Sequence, residues 1–205
     1  MPLNSNSVIR LNHGLQSAGA KYSSTLESPF IPTFTGKVFN VEVPSSHDIS
    51  IRDIAHSLSM QCRFGGHCQQ FYSAAEHSVI LSRLVEKEFA MCALLHESSH
   101  AYIHDVVITL QYLLPGYLEM ANRIWAMVAK RFHLPSVIPL AIRNVDLRLR
   151  ASEIEYLLLP STRTWLQGVT PFTLEELGVR HSKQLGMLPR EANRQFLARF
   201  AELVI

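Results

Sequence analysis

Charge is scarce in this chain. Asp, Glu, Lys and Arg together make up 18% of the sequence, and the formal net charge is +2. The basic residues are scattered without an extended run. Neither bulk charge nor its patterning provides the electrostatic footprint of a protein that binds a nucleic-acid polymer. Cysteine is scarcer still: Cys62, Cys68 and Cys92 make three in all, with no Cys-x-x-Cys pair. An odd count excludes a fully paired disulfide scaffold and predicts a reducing, cytoplasmic setting. Long apolar runs are missing too. No stretch approaches the roughly 18 residues of a transmembrane helix, so no membrane partner is expected. The first residues lack a basic segment followed by an apolar one, so no secretory signal is expected.

What is present is a 205-residue chain with 47% hydrophobic residues, enough to bury a core within one domain. Residues 1–30 are rich in Ser and Asn and weakly periodic, which predicts a flexible arm ahead of a domain spanning 31–205. Partial alternation over residues 33–43, around Gly36-Lys37, predicts a small hairpin. From residue 50 onward the apolar period is helical. Ser50 with Asp53, and Ser73 with Glu76, have the spacing of a capping box. Residues 87–103 read as one continuous helix. Pro115 fits the first turn of another, with Tyr117, Ala121, Ile124 and Val128 facing inward. Residues 139–159 and 191–203 predict two more. The expected class is all-α with a short N-terminal β-hairpin.

His96, His100 and His104 recur every four residues after two leucines. On a continuous helix they share one face, one turn apart. Imidazoles and carboxylates clustered at the edge of a core are costly unless paired, and a divalent metal is the usual partner. His96-Glu97-x-x-His100 also has the zinc-peptidase spacing, with two histidines on the metal and the glutamate as general base. That reading needs a third ligand, which His104 would supply only from an in-line position that suits a tetrahedral ion poorly.

A second reading draws on more of the chain. The runs Asp53-Ile54-Ala55-His56-Ser57-Leu58-Ser59, Cys62-Arg63-Phe64-Gly65-Gly66-His67 and Tyr72-Ser73-Ala74-Ala75-Glu76-His77-Ser78 are followed by Ala93-Leu94-Leu95-His96-Glu97 and Ala101-Tyr102-Ile103-x-Asp105. Val145-Asp146-Leu147-Arg148 and Ala151-Ser152-Glu153 complete the series. In order and spacing this resembles the HD-domain phosphohydrolase superfamily, in the branch of bacterial 5'-deoxynucleotidases and phage-type deoxynucleoside triphosphohydrolases. The resemblance implies an HD-domain helical bundle that hydrolyses a phosphate ester or anhydride of a (deoxy)nucleotide. It implies one divalent ion (Mn, Co, Zn, Fe or Mg) held by His77, His96, Glu97 and Asp146, which activates water and polarises a phosphoryl oxygen. It further implies Arg63 and Phe64 at the substrate, His100 and Asp105 managing protons, and assembly into a homo-oligomer.

The sequence departs from that family where the chemistry is most sensitive. Glu97 replaces the aspartate of the His-Asp pair, one methylene longer. His100 replaces a glutamate assigned to proton transfer, a task histidine performs near neutral pH. His104 replaces a glycine, Gln111 a phosphate-facing lysine, and Val107 and Thr109 two prolines. Two outcomes stand side by side: an active, divergent enzyme, or a catalytically silent protein that binds a nucleotide or a protein partner on the same fold. For each residue a plainer role also exists. His77 and His96 have the setting of core histidines bonded to a carbonyl. Asp146, among Arg143, Arg148 and Arg150, has the setting of a surface ion pair. Ile124, Trp125 and Val128 fit either core or a dimer face.

Overall fold

The computed structural model describes residues 29–160, 166 and 168–204. The expected arm, residues 1–30, lies almost wholly outside them. The chain begins with two short antiparallel strands, β1 (Phe30–Pro32) and β2 (Val38–Asn40), paired Phe30 to Asn40 and Pro32 to Val38. Gly36, at φ +80, sits in the turn between them as the Gly36-Lys37 pair predicts. The α-helices that follow among the described residues are α1 (Ile51–Met60), α2 (Ala74–Leu84), α3 (Ala90–Leu95), α4 (His100–Ile103), α5 (Ile108–Gln111), α6 (Tyr117–Phe132), α7 (Leu140–Leu157) and α8 (Pro189–Leu203). The protein is therefore all-α with a small hairpin, as the sequence predicts.

The hairpin is fixed to the helices by Asp53. Its carboxylate accepts the Thr35 N–H at 2.7 Å and the Thr35 hydroxyl at 2.9 Å. Asp53 is thus not half of a capping box, and the Ser50 side chain makes no cap bond. A carboxylate bonded to a turn in another element satisfies itself better than one facing solvent at a helix start.

α2 is the central helix. Ala74 through Ser82 are all buried, and α1, α3, α7 and α8 pack around them. A helix buried on every side needs small residues where neighbours approach, and Ala74, Ala75, Ser78 and Ser82 provide them. Ser73 caps α2 by accepting the Glu76 N–H at 3.1 Å. Glu76 does not return the bond. Its carboxylate accepts the N–H groups of Gly186 at 2.8 Å and Met187 at 2.7 Å, which anchors the segment leading into α8. Gly186 has φ +96, and a Cβ there would stand 2.6 Å from the Phe71 carbonyl oxygen, so only glycine fits. Burial pushes the Glu76 carboxyl up to about 7, against the pull of those two N–H donors.

Residues 87–103 do not form one helix. After the 3₁₀ turn Lys87–Phe89, α3 stops at Leu95 and α4 starts at His100. Between them the backbone stays near helical angles, but it tightens to three-residue bonds, Ser98 N–H to Leu95 O and His100 N–H to Glu97 O, both 2.9 Å. Ser98 and Ser99 are poor helix-interior residues, and the 3₁₀ geometry changes the facing of His96 relative to His100. α4 then ends at His104, whose φ of 70° and ψ of 153° turn the chain sharply. The Ile124, Trp125 and Val128 strip is core: Ile124 and Val128 are fully buried, and the Trp125 indole donates to the Ser136 carbonyl at 3.1 Å. Large apolar side chains are exposed instead over residues 108–118, at Ile108, Leu110, Tyr112, Leu113, Leu114 and Leu118. Among the described residues, no helix is long and apolar enough to cross a membrane, and the three cysteines are free.

Candidate metal centre

Three side chains converge where α2, the end of α3 and α7 meet. His77 Nε2 lies 3.4 Å from His96 Nε2 and 3.2 Å from Asp146 Oδ1. One donor atom from each of the three lies within 4.8 Å of the others. The ring orientations follow from what their other nitrogens touch. His96 Nδ1 is 2.7 Å from the Ala93 carbonyl oxygen, which can only accept, so the proton is on Nδ1 and the Nε2 lone pair is free. His77 Nδ1 donates to Glu153 Oε1 at 2.5 Å, and its Nε2 faces the same point. Asp146 Oδ1 is buried and, despite its closeness to His77, makes no hydrogen bond of good geometry among the described residues. Two imidazole nitrogens and a carboxylate oxygen aimed at one spot repel one another unless a cation or proton lies between them. This donor set fits a divalent ion.

The charges around the cluster agree. Burial and the Arg63 cation push the His77 imidazole down, but Glu153 and Asp146 outweigh them and carry it up to about 9. Burial opposes ionisation of Asp146, yet His77 and Arg150 hold its carboxyl well below the usual carboxylate range. Glu153 is likewise held low, against burial, by Arg63 and His77.

Of the four residues expected on the metal, Glu97 stands at the edge of the cluster. Its Oε1 is 3.5 Å from His96 Nε2 and 3.9 Å from His77 Nε2. The same oxygen accepts from Arg63 Nη1 at 3.2 Å, while Oε2 is 2.6 Å from His100 Nδ1. That last contact is close but out of line for a hydrogen bond. Burial pushes the Glu97 carboxyl up, and His100 and His96 more than reverse this, holding it well below its ordinary value. His100 also lies 3.5 Å from Asp105 Oδ1, and Glu97 and Asp105 raise its pKa against burial. The expected pair His100 and Asp105 is therefore brought together, beside Glu97. Arg63, expected at substrate phosphate, is only 5% exposed. Its Nε donates to Glu153 Oε2 at 3.2 Å, its Nη2 lies 3.1 Å from the same oxygen, and its Nη1 is shared between Glu97 and, at 3.9 Å, Asp105. Phe64 lies beside it, with the Arg63 guanidinium carbon 5.6 Å from the ring centre.

His104 is not brought to the cluster. It lines a separate cavity with Phe34 and His56, and its carbonyl accepts the Tyr117 hydroxyl at 2.6 Å. The three histidines therefore do not share a ligand face. His96 pairs with His77 rather than with His100, because the tightened turn and the end of α4 rotate the others away. The two residues with no assigned role that matter most are Glu153 and Gln61. Glu153 orients His77 and neutralises Arg63. Gln61 donates to the His100 carbonyl at 3.0 Å and accepts the Asp105 N–H at 2.7 Å, which fixes the turn between them. The sequence signals for Glu153 are its place in the Ala151-Ser152-Glu153 run and its position seven residues after Asp146, two turns along one helix face. Gln61 offered none.

A cavity of about 230 Å³ opens over the cluster, walled by Arg63, Phe64, Glu97, Asp105, Gln111 and Arg150, with His96 and Asp146 in its floor. This is smaller than the ~300 Å³ at the low end of small-molecule pockets. It is sized for a compact group rather than for a whole ligand.

A helical domain with a hairpin at its start and a two-histidine, one-carboxylate cluster at its centre is the class that fold and site define. No family model matches the chain. It is 39% identical over 176 residues to the uncharacterized protein YfdR of Escherichia coli, covering 85% of this chain and 95% of the relative. It is 31% identical over 137 residues to an uncharacterized protein of Rhodobacter capsulatus, 58% of this chain and 70% of that one. The chain belongs to the family of these proteins.

Proposed function

We propose that this protein is a metal-dependent phosphohydrolase acting on (deoxy)nucleotides, of the 5'-nucleotidase or triphosphohydrolase type, on an HD-domain fold. The observation that carries the reading is the convergence of His77 Nε2, His96 Nε2 and Asp146 Oδ1, with His96 and Asp146 lining a cavity that Arg63 and Arg150 also line. The resemblance of the surrounding runs to HD-domain phosphohydrolases supplies the reaction class. One divalent ion held by these three residues, with Glu97 in reach, supplies a Lewis acid for water and phosphoryl oxygen. The chain's own residues do the rest. Glu153 and the Ala93 carbonyl orient the two imidazoles. Glu97 holds His100 beside the cavity, where its imidazole, with Asp105, exchanges a proton with water or the leaving oxygen. The exposed apolar residues of 108–118 support assembly with a second copy, as the resemblance implies.

A second reading is a catalytically silent binding protein. It is favoured by the engagement of Arg63 with three carboxylates and by the Glu97–His100 contact, which satisfy inside the protein groups that an active site would turn toward substrate. The deciding experiment uses metal-stripped protein refilled in turn with Mn, Co, Zn or Mg. Release of phosphate or triphosphate is followed from deoxynucleoside mono- and triphosphates, with His96→Ala as control. Turnover that needs both metal and His96 is the expected result. Metal and nucleotide bound without turnover would establish the silent reading instead.

A further inference from the structure

We propose that Arg150 is the anion-binding residue of this site. The inference rests on the phosphate-binding reading above and adds the residue that performs it. Arg63 cannot readily turn to a ligand, since its Nε and both terminal nitrogens are held by Glu153 and Glu97 and the side chain is almost fully buried. Gln111 is neutral, and its amide donates to the Val106 carbonyl at 2.7 Å. Arg150 lines the same cavity and is differently placed. Its Nη2 donates to Asp146 Oδ2 at 2.8 Å, while its Nε is buried and has no hydrogen-bond partner among the described residues.

A buried N–H without a partner is costly, and a charged one more so. The Nε itself is closed off, but the side chain is 24% exposed and lines the cavity, so an oxyanion entering there meets the open part of the same guanidinium. The position is also right for one. Asp146 presents Oδ1 to His77 and Oδ2 to Arg150, so the guanidinium stands one carboxylate away from where the three donors converge. With an ion held there, an anion beside it would also be within reach of a planar cation. The fork of donors on arginine suits the tetrahedral oxygens of a phosphoryl group. The ligand class is a phosphate monoester terminus or free phosphate.

The test measures the affinity of the Mn-loaded protein for inorganic phosphate, by calorimetry, with metal content determined in the same samples. Arg150→Gln is expected to weaken phosphate binding at least tenfold while metal stays bound, and Arg150→Lys to recover part of the loss. Adding Gln111→Lys to Arg150→Gln puts a cation on another residue that lines the cavity and is expected to restore binding. Four results would overturn the proposal: no phosphate binding by the native protein, unchanged affinity in Arg150→Gln, loss of metal together with phosphate in both Arg150 variants, or no rescue by Gln111→Lys. The phosphohydrolase reading fails separately. Arg150-dependent phosphate binding without turnover of any nucleotide supports the assignment of Arg150 and rejects hydrolysis. Turnover with phosphate affinity unchanged in Arg150→Gln does the reverse.

Discussion

Glu153 Oε1 accepts the Nδ1–H of His77 at 2.5 Å, and this contact decides which nitrogen of that ring is left for a metal. The same carboxylate neutralises Arg63 through its other oxygen. Glu153→Gln keeps the shape but removes the charge. Metal affinity should fall about 10- to 100-fold, the usual cost of losing an outer partner of a ligating histidine. The buried Arg63 also loses its main counter-charge, which should lower stability by about 3 kcal/mol. Metal titration and urea unfolding of the variant check the two effects separately.

Without a metal, His77 should be protonated at neutral pH, because Glu153 and Asp146 carry its pKa to about 9. An entering ion must displace that proton. Apparent metal affinity should therefore rise with pH up to about 9, with about one proton released per ion below it. For the metal-free protein the sign is opposite. A raised imidazole pKa gives stability that is complete below the unfolded value of about 6.5 and fades as pH rises through about 9. Calorimetric titrations in buffers of different ionisation heat count the protons. Metal uptake that is flat in pH with no proton release would contradict the assignment.

Glu97 and His100 are matched to each other. Shortening the first, in Glu97→Asp, withdraws a carboxylate from an imidazole 2.6 Å away. Changing the second, in His100→Glu, sets two buried acids side by side. Each single variant should be less stable than the native protein. The double variant should recover part of the loss, with a coupling of about 1 kcal/mol or more. If the fold is active, the double variant should also raise phosphohydrolase turnover, since it recreates the pattern of the family that the sequence resembles. A phosphate-release assay with each metal decides this, and no gain in any of them would count against the proton-transfer roles.

His104 holds backbone angles that are nearly exclusive to glycine. His104→Gly should relieve that strain by about 1–3 kcal/mol and lose somewhat less than 1 kcal/mol to unfolded-state entropy. The net gain should be about 1 kcal/mol, read as a higher urea midpoint at unchanged slope. The side chain lies outside the metal cluster, so metal affinity should not change.

The helices and hairpin are legible because each depends on local signals: apolar period, Gly36 in a turn, Ser73 as a cap; Pro115, expected in a first turn, instead lies ahead of Gly116, the N-cap of α6. The errors share one cause. Asp53 reads as a capping residue locally, yet its partner Thr35 is eighteen positions away along the chain. The histidine helix looks continuous by spacing, yet Ser98 and Ser99 allow a tighter turn that changes which face His96 presents. Ile124, Trp125 and Val128 form an apolar strip either way; only the packed neighbours show that it is interior. At the site, residue type and order pointed to His77, His96 and Asp146, which do meet. Glu153 falls within a resembling run but its role is not legible there, because it lies in contacts to residues 76 and 90 positions away.

Asp146, Arg150 and Glu153 all belong to α7, with about 10 Å of helix rise between the first and the last. They supply a donor to the cluster, a cation to the cavity and the brace behind His77. A rigid helix cannot shift one of them alone. A small roll of α7 about its axis would withdraw all three together, and restoring its seat would return them together. The geometry of the site therefore hangs on the seat of one helix rather than on three independently adjustable parts.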